Sequence, residues 1–166
     1  MPANASSTVL DHTRQISEYQ IENNPVYSFL LRDITIKEAS EGFVRGELII
    51  ASIHVNTRGS IHGAMIATLV DWSGSLAIIS HGMDKTGPSV DIHISYISTA
   101  AVGDVIEIVA TTDRVGQSLG FTSVVISKLL DSKPVAVIAK ASHTKYIRKT
   151  MIQAQAHSLK DQESNA

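Results

Sequence analysis

Apolar and polar residues alternate along much of this chain with a period of two, which is typical of half-buried β-strands. The clearest example is residues 89–97, where Val90, Ile92, Ile94 and Tyr96 alternate with polar residues. Further strand-like runs occupy about residues 33–39, 43–52, 104–115, 119–130 and 134–147. Short turn signals separate the four C-terminal runs, so we expect them to form an antiparallel meander.

A different pattern marks about residues 61–80, which are apolar on nearly every face and predict one long helix enclosed by other elements. Residues 11–31 have a weaker helical pattern. Asn23-Asn24-Pro25 divides it into two short pieces, with Pro25 suited to a first helical turn. This order of elements predicts an α+β fold in which an antiparallel β-sheet wraps around one long central helix.

The chain has 166 residues, a normal length for one domain with its own hydrophobic core. Residues 1–9 are mostly small and polar, and residues 149–166 contain little that could be buried, so both ends are predicted to be flexible. The folded domain is therefore predicted to span residues 10–148.

Charge and composition exclude several classes of function. The 14 Lys and Arg residues against 16 Asp and Glu residues give a net charge of -2, without the positive field of a nucleic-acid-binding protein. The absence of cysteine excludes disulfides, thiolate metal sites and a cysteine nucleophile. No apolar run is long enough for a membrane span, and the first residues lack the apolar part of a secretory signal. We expect a soluble, cytoplasmic protein, with a mitochondrial location left open.

Asp71 is the residue that most strongly indicates a function. It lies about nine residues inside the apolar helix, where an ionised carboxylate costs several kcal/mol unless other groups compensate it. One interpretation is structural, with Asp71 hydrogen-bonded to a neighbour and fixing the packing. The other is a general base or nucleophile whose pKa is set by partial burial.

Gly63 lies at the start of the same helix, where backbone N–H groups have no intrahelical partner and the helix dipole favours negative charge. Such an N–H can polarise a carbonyl oxygen, although an isolated glycine is more often needed for close packing. Eight residues at about 1.5 Å each separate Gly63 from Asp71 by about 12 Å along the axis. If both act on one carbonyl, they must come from two subunits with antiparallel helices.

Five motifs together resemble the PaaI-type hotdog thioesterases over about residues 20–148. Within that family, the chain is most similar to the branch that contains thioesterase superfamily member 2, an acyl-CoA thioesterase. The motifs are His54-Val-Asn56, Ile61-His62-Gly63-Ala64, Ala67-Thr-Leu-Val-Asp71, Ser89-Val-Asp91 and His143-Thr-Lys145.

The resemblance implies a hotdog fold, protomers paired into a continuous sheet, and commonly a homotetramer made of two dimers. It implies hydrolysis of acyl-CoA thioesters, with Asp71 activating water or attacking the carbonyl and the Gly63 N–H polarising the thioester oxygen. Asn56 would orient the water or carbonyl, Ser89 would support the carboxylate, and His62 would hold the start of the helix. CoA enters as part of the substrate, and no other cofactor is implied.

The resemblance also implies a path for the CoA arm along the strand after Ser89 and the turn beyond the next strand. Lys145, Arg148 and Lys149 form a basic cluster that either meets phosphates or is a solvated strand end. The predicted substrate-binding residues are Asp91, Tyr96, Ile97, Ser98, Thr99, Ala100, Ala101, Arg114, Val115, Gly116, Gln117, Ser118, Leu119 and His143.

Three alternatives have less support. The histidines lack the spacings of a metal site, so no metal is predicted. A hotdog hydratase or dehydratase would generally need a His paired with a carboxylate, and the central helix has no His beside Asp71. A non-catalytic acyl-CoA or acyl-carrier binding protein, or an auxiliary biosynthetic protein, remains the main alternative because a fold and its pocket can outlast the chemistry.

Overall fold

The structure of the chain is a computed structural model that describes residues 5–147, with side chains from residue 8 onward. Within this range the helices are α1 (Ala5–Asn23), α2 (Pro25–Leu30) and α3 (Gly63–Ile79), and a short 3₁₀ helix spans Ser52–His54. The strands are β1 (Thr35–Ser40), β2 (Phe43–Ile49), β3 (Ser89–Tyr96), β4 (Val105–Val115), β5 (Leu119–Leu130) and β6 (Lys133–Tyr146).

The six strands form one antiparallel sheet in the order β1-β2-β4-β5-β6-β3. The alternation predicted every strand to within a few residues, and β4, β5 and β6 form the expected meander. The prediction that β3 also belongs to the meander is wrong, because β3 pairs with β6 at the sheet edge while β4 pairs with β2. Helix α3 lies between β2 and β3 in the sequence and carries the chain to the opposite edge.

Helix α3 lies against the sheet and supplies much of the hydrophobic core. Met65, Leu69, Trp72 and Leu76 are fully buried, in agreement with a helix that is apolar all round. Full burial of each such side chain contributes about 1.5–3 kcal/mol relative to exposure. Trp72 also donates a hydrogen bond from Nε1 to Ser17 Oγ of α1 at 3.3 Å, so it is a core residue.

The two N-terminal helices cover part of α3 and β1. As predicted, the weak helical pattern is divided at Asn24: its side chain accepts from the first N–H groups of α2, and Pro25 lies in the first turn. Within the segment at residues 1–9 that was predicted to be flexible, α1 begins at Ala5 and Val9 packs against the core. The predicted tail at residues 149–166 lies outside the described residues. No helix in the described range is both long and apolar enough to cross a membrane.

Candidate active site

Asp71 is surrounded by hydrogen-bond donors from three other elements. Ser89 of β3 donates from Oγ to Asp71 Oδ1 at 2.9 Å. Lys145 of β6 donates from Nζ to the same oxygen at 3.2 Å. Tyr27 of α2 donates from its hydroxyl to Oδ2 at 2.6 Å. The carboxylate that the sequence leaves without a local partner is therefore compensated by residues distant in sequence.

The pairing of β3 with β6 accounts for two of these donors. Ser89 lies opposite Lys145 in the register of the two strands, so both reach the same point above α3. The Lys145 side chain is only 8% exposed, whereas the Asp71 side chain is 33% exposed. The two charges are paired, and the carboxylate remains accessible from solvent.

His143 lies beneath this group and contacts Ser89 Oγ through Nε2 at 2.9 Å. The Ser89 hydroxyl donates to Asp71, and its oxygen accepts from Lys145 Nζ at 3.2 Å. The His143 side chain is buried, and a backbone hydrogen bond with Val70 of α3 raises its pKa against the larger effect of burial. Ser89 thus links His143 to Asp71 within one polar network.

The protonation states follow from these contacts. Burial alone would raise the pKa of Asp71, but the hydrogen bond from Tyr27, the charge of Lys145 and the hydrogen bond from Ser89 together lower it below its ordinary value. Burial and the charge of Lys145 lower the pKa of His143 to about 4. At neutral pH the site thus holds an ionised Asp71 and a neutral His143, so their 3.6 Å contact is not an ion pair there.

The start of α3 forms a second group of possible site residues. His62 is the N-cap, and its Nδ1 accepts from the Ala64 N–H at 3.0 Å. Gly63 is the first helical residue, and its N–H has no hydrogen-bond partner among the described residues. This N–H is free to bind a carbonyl oxygen, and His62 fixes the turn that presents it.

Asn56 lies on the loop that precedes α3. Its Oδ1 accepts from the backbone N–H of Arg58 at 2.9 Å and of Ser60 at 3.3 Å, and so closes the loop. Its Nδ2 has no partner within residues 5–147 and can donate outward. A backbone hydrogen bond of 2.9 Å from the His62 N–H to the His54 carbonyl ties this loop to the start of the helix.

The predicted catalytic residues therefore fall into two groups in one chain. We call Asn56, His62 and Gly63 the donor half-site. The carboxylate half-site consists of the following residues: Asp71, Ser89, His143, Lys145 and Tyr27. Because Gly63 and Asp71 lie on one continuous helix, the eight-residue rise of about 12 Å keeps the half-sites apart.

The predicted CoA-binding segment at residues 96–101 lies beside the donor half-site. Tyr96 donates from its hydroxyl to the Gly63 carbonyl at 3.4 Å, and Ile61 donates its N–H to the Ala100 carbonyl at 2.8 Å. All residues of this segment are exposed except Ala100, which is 2% exposed. Ala100 was predicted to bind CoA, but its side chain packs in the core because the segment turns inward to pair with Ile61.

The segment at residues 114–119 lies at the other end of the sheet, beside the carboxylate half-site. The Ser118 carbonyl accepts from the Ile147 N–H at 2.8 Å, next to the end of β6. Arg114, Gln117 and Ser118 are exposed, while Gly116, Leu119 and Val115 are half-buried. Val115 packs against a small apolar cluster that includes Ile147. One chain does not bring this segment together with residues 96–101.

Two more predicted CoA contacts lie on β3 and β6. Asp91 is exposed. His143 was predicted beside the nucleotide and pantetheine, but its side chain is fully buried under Ser89, because the inward face of β6 carries it toward α3. Its place is in the carboxylate half-site.

Sequence reasoning missed Tyr27 and misplaced Lys145. Lys145 was assigned to a basic cluster with Arg148 and Lys149, which lie outside the described residues, yet Lys145 is buried against Asp71. The signal was present: the period of two puts His143 and Lys145 on the same face of β6 as Ala139 and Ala141. No local pattern marks Tyr27.

No cluster of His, Asp or Glu within residues 5–147 has the geometry of a metal site.

Comparisons with known proteins agree with this fold. The family model of the thioesterase superfamily matches residues 58–134. Over 118 residues the chain is 36% identical to human acyl-coenzyme A thioesterase 13, covering 71% of this chain and 82% of that protein. It is 35% identical over 153 residues to a Schizosaccharomyces pombe protein named provisionally as an esterase, covering 91% of this chain and 92% of that protein. The crystal structure of zebrafish thioesterase superfamily member 2 superposes with a TM-score of 0.74 at 31% identity, covering 83% of this chain and 97% of that chain.

Proposed function

We propose, from the premise that this chain belongs to the thioesterase superfamily and has its hotdog fold, that it hydrolyses acyl-CoA thioesters to a free acid and CoA. The relatives named acyl-coenzyme A thioesterase support this choice of substrate class. The proposed reaction needs only substrate and water, so it requires no metal or other cofactor.

The observation that carries the proposal is the state of Asp71. Its pKa is lowered, so it is ionised at neutral pH, and a third of its side chain remains exposed. Oδ2 accepts one hydrogen bond, from Tyr27, which leaves a second lone pair for a water molecule. In this proposal Asp71 takes a proton from the attacking water, or attacks the thioester carbonyl itself. Ser89 and Lys145 hold the carboxylate in place.

The oxyanion donors in this proposal are the Gly63 N–H and Asn56 Nδ2 of a second subunit. The half-sites lie too far apart on α3 to act together, but two antiparallel helices across a twofold axis would bring the donor half-site of each chain to the carboxylate half-site of the other. Backbone and amide donors there would stabilise the tetrahedral intermediate.

The edge strand β3 supports this pairing. It ends the sheet, and every residue in it except Ile94 is exposed, including Val90, Ile92 and Tyr96. A long exposed strand with apolar side chains is a template for pairing with another strand. We propose that β3 joins its copy in a homodimer and that two dimers form the assembly.

The direct test is release of free CoA from a panel of medium-chain, long-chain and aryl-CoA thioesters. Asp71→Asn should lower kcat by about 10²–10⁴-fold, the range for loss of a general base. Asp131→Asn is the matched control, since Asp131 lies in the β5–β6 turn at φ 50, a conformation that Asn also tolerates. It should keep full activity.

A thioether analogue of acyl-CoA, which cannot be hydrolysed, separates the two main functions. An enzyme should bind the analogue in both the wild type and Asp71→Asn, while only the wild type turns over thioesters. If the folded oligomer binds the analogue but releases no CoA from any thioester, the protein is a binding module and the proposed activity is wrong.

A further inference from the structure

The hydrogen bond from Tyr27 to Asp71 links the N-terminal helices to the proposed reaction. Tyr27 donates to Oδ2 at 2.6 Å, and its ring packs against the core. We infer that Tyr27 is a positioning residue that fixes the orientation of the Asp71 carboxylate for thioester hydrolysis. This inference rests on the function proposed above and adds a residue from outside the part of the chain, residues 58–134, that the family model matches.

The argument begins with the rotation of the carboxylate. The terminal torsion of an aspartate is broad, so donors to one oxygen alone leave the carboxylate plane poorly defined. Ser89 and Lys145 both bind Oδ1, on the side of the sheet. Tyr27 is the donor to Oδ2 among residues 5–147. With Tyr27 present, both carboxylate oxygens are hydrogen-bonded, so the carboxylate plane is fixed. The free lone pair of Oδ2 then points in one direction.

Tyr27 can perform this role because α2 is itself held at both ends. At its start, Asn24 Oδ1 accepts from the N–H groups of Val26 at 3.0 Å and Tyr27 at 3.4 Å. At its end, the Leu30 carbonyl contacts His54 Nε2 at 3.0 Å. His54 Nδ1 accepts from the Ala51 N–H, so Nε2 carries the hydrogen and donates to Leu30.

His54 also connects the two half-sites within the chain. It is buried, its ring holds the end of α2, and its carbonyl accepts from the His62 N–H at the start of α3. The helix that carries Tyr27 and the loop that carries Asn56 therefore share one anchor. A displacement of α2 would reach the carboxylate half-site through Tyr27.

The charged and titratable groups around Asp71 agree with a donor role for Tyr27. Burial and the neighbouring carboxylate raise the pKa of Tyr27, so its hydroxyl keeps its proton and donates. From β6, Lys145 forms an ion pair with Asp71, and His143 is neutral at pH 7. From β3, the charge of Asp91 raises the pKa of His143, against the larger effect of burial. Removal of the Tyr27 hydroxyl leaves Lys145 and Ser89 as the donors to the carboxylate.

The test is Tyr27→Phe, which keeps the ring and removes only the donor. The matched control is Tyr19→Phe on α1, at a residue that is 65% exposed. Loss of a hydrogen bond to a charged group should lower kcat by about tenfold or more, with KM within about twofold, since substrate contacts are unchanged. The acid limb of the kcat profile should move to higher pH, because one cause of the lowered pKa of Asp71 is gone. Tyr19→Phe should match the wild type.

A second measurement does not depend on turnover. Carbon-13 NMR of aspartate carboxyl groups, with the Asp71 signal assigned through Asp71→Asn, should give a higher pKa for Asp71 in Tyr27→Phe than in the wild type. If the wild type hydrolyses thioesters but kcat, the acid limb and the carboxyl pKa are unchanged in Tyr27→Phe, the inference is overturned and the proposed function stands. If the wild type hydrolyses no thioester, the proposed function fails and the catalytic role of Tyr27 falls with it. A raised carboxyl pKa would then support only the hydrogen bond.

Discussion

The donor half-site and the carboxylate half-site lie on the same helix but are built in different ways. The donor half-site is local: Asn56 closes its own loop, His62 caps the helix, and Gly63 offers a backbone N–H. The carboxylate half-site is assembled from distant parts of the chain, with Tyr27 44 residues and Lys145 74 residues from Asp71. Changes in the donor half-site that keep its cap and loop hydrogen bonds should therefore affect mainly activity, whereas changes in the carboxylate half-site should also affect folding.

The largest expected effect on stability comes from acid acting on His143. The unfolded chain takes up a proton near the ordinary His pKa of 6.5, whereas burial and Lys145 lower the pKa of folded His143 to about 4. Acid thus favours the unfolded state through this interval, and stability is lost as the pH falls. From pH 6.5 to 4, the free energy of unfolding should fall by about 3 kcal/mol more in the wild type than in His143→Gln.

Urea unfolding at a fixed protein concentration would measure this difference, since the stability of an oligomer depends on concentration. Equal losses in the two proteins would mean that His143 is not held neutral by the fold, and the contrast between the half-sites would weaken.

A smaller effect is expected from the buried cation of the carboxylate half-site. Lys145→Met should lower the free energy of unfolding at pH 7 by about 2 kcal/mol, because Asp71 loses a buried charged partner but keeps partial solvent access. Lys128→Met is the control: Lys128 binds Asp104 at 2.8 Å, closer than the 3.2 Å of Lys145 to Asp71, but its side chain is 35% exposed. It should cost less than about 1 kcal/mol. If the two variants lose equal stability, distance rather than burial decides the strength of these pairs.

Alanine substitutions at two glycines of α3 give the closest comparison of the half-sites. A Cβ at Gly74 would lie 2.8 Å from His143 Nδ1 and 2.9 Å from Thr122 Oγ1, both buried, so Gly74→Ala should lose about 1 kcal/mol even after the gain in helix propensity. A Cβ at Gly63 would lie 3.5 Å from the Tyr96 ring, an ordinary contact, so Gly63→Ala should change stability by less than about 0.5 kcal/mol.

At Gly63, by contrast, the substitution should lower activity although it leaves stability almost unchanged. The new methyl group would lie beside the proposed oxyanion donor, and kcat/KM should fall by about tenfold or more. Thermal unfolding and CoA release, measured on the same samples of Gly63→Ala and Gly74→Ala, check the predicted changes in stability and in activity. A Gly63→Ala variant with full activity would argue against the donor role.

The difference between the half-sites also explains what the sequence predicted. Asp71 is conspicuous because its neighbours along the helix are apolar, and Gly63 because of its position at the helix start. Such signals need only the local chain and the helical period. The strands and α3 were found in the same way, from their periodicity.

The parts that were missed depend on tertiary pairing. The edge position of β3, the inward face of β6 and the contact of α2 with α3 are set by which elements pack together, and a period of two or 3.6 contains no such information. Lys145 was therefore assigned to the surface. Tyr27 carried no local signal, because its function comes from one contact with a residue 44 positions away.

The central claim is that each active site combines the two half-sites of different subunits. Asp71→Asn removes the base, and Asn56→Asp removes the Nδ2 donor while keeping the Oδ1 acceptor that closes the loop. Each variant alone should be inactive. A hybrid dimer would contain one site with Asp71 from one chain and Asn56 from the other, and one site with both changes.

The decisive measurement is CoA release after the two variants are mixed in equal amounts, with subunit exchange verified by different affinity tags. With unbiased association, about half of the dimers are hybrids with one intact site of two, so about a quarter of the wild-type activity should return. A site within one chain would be broken in every subunit of the mixture, and no activity would return. Verified exchange without recovery would contradict the two-subunit site and the antiparallel arrangement of α3 on which it depends.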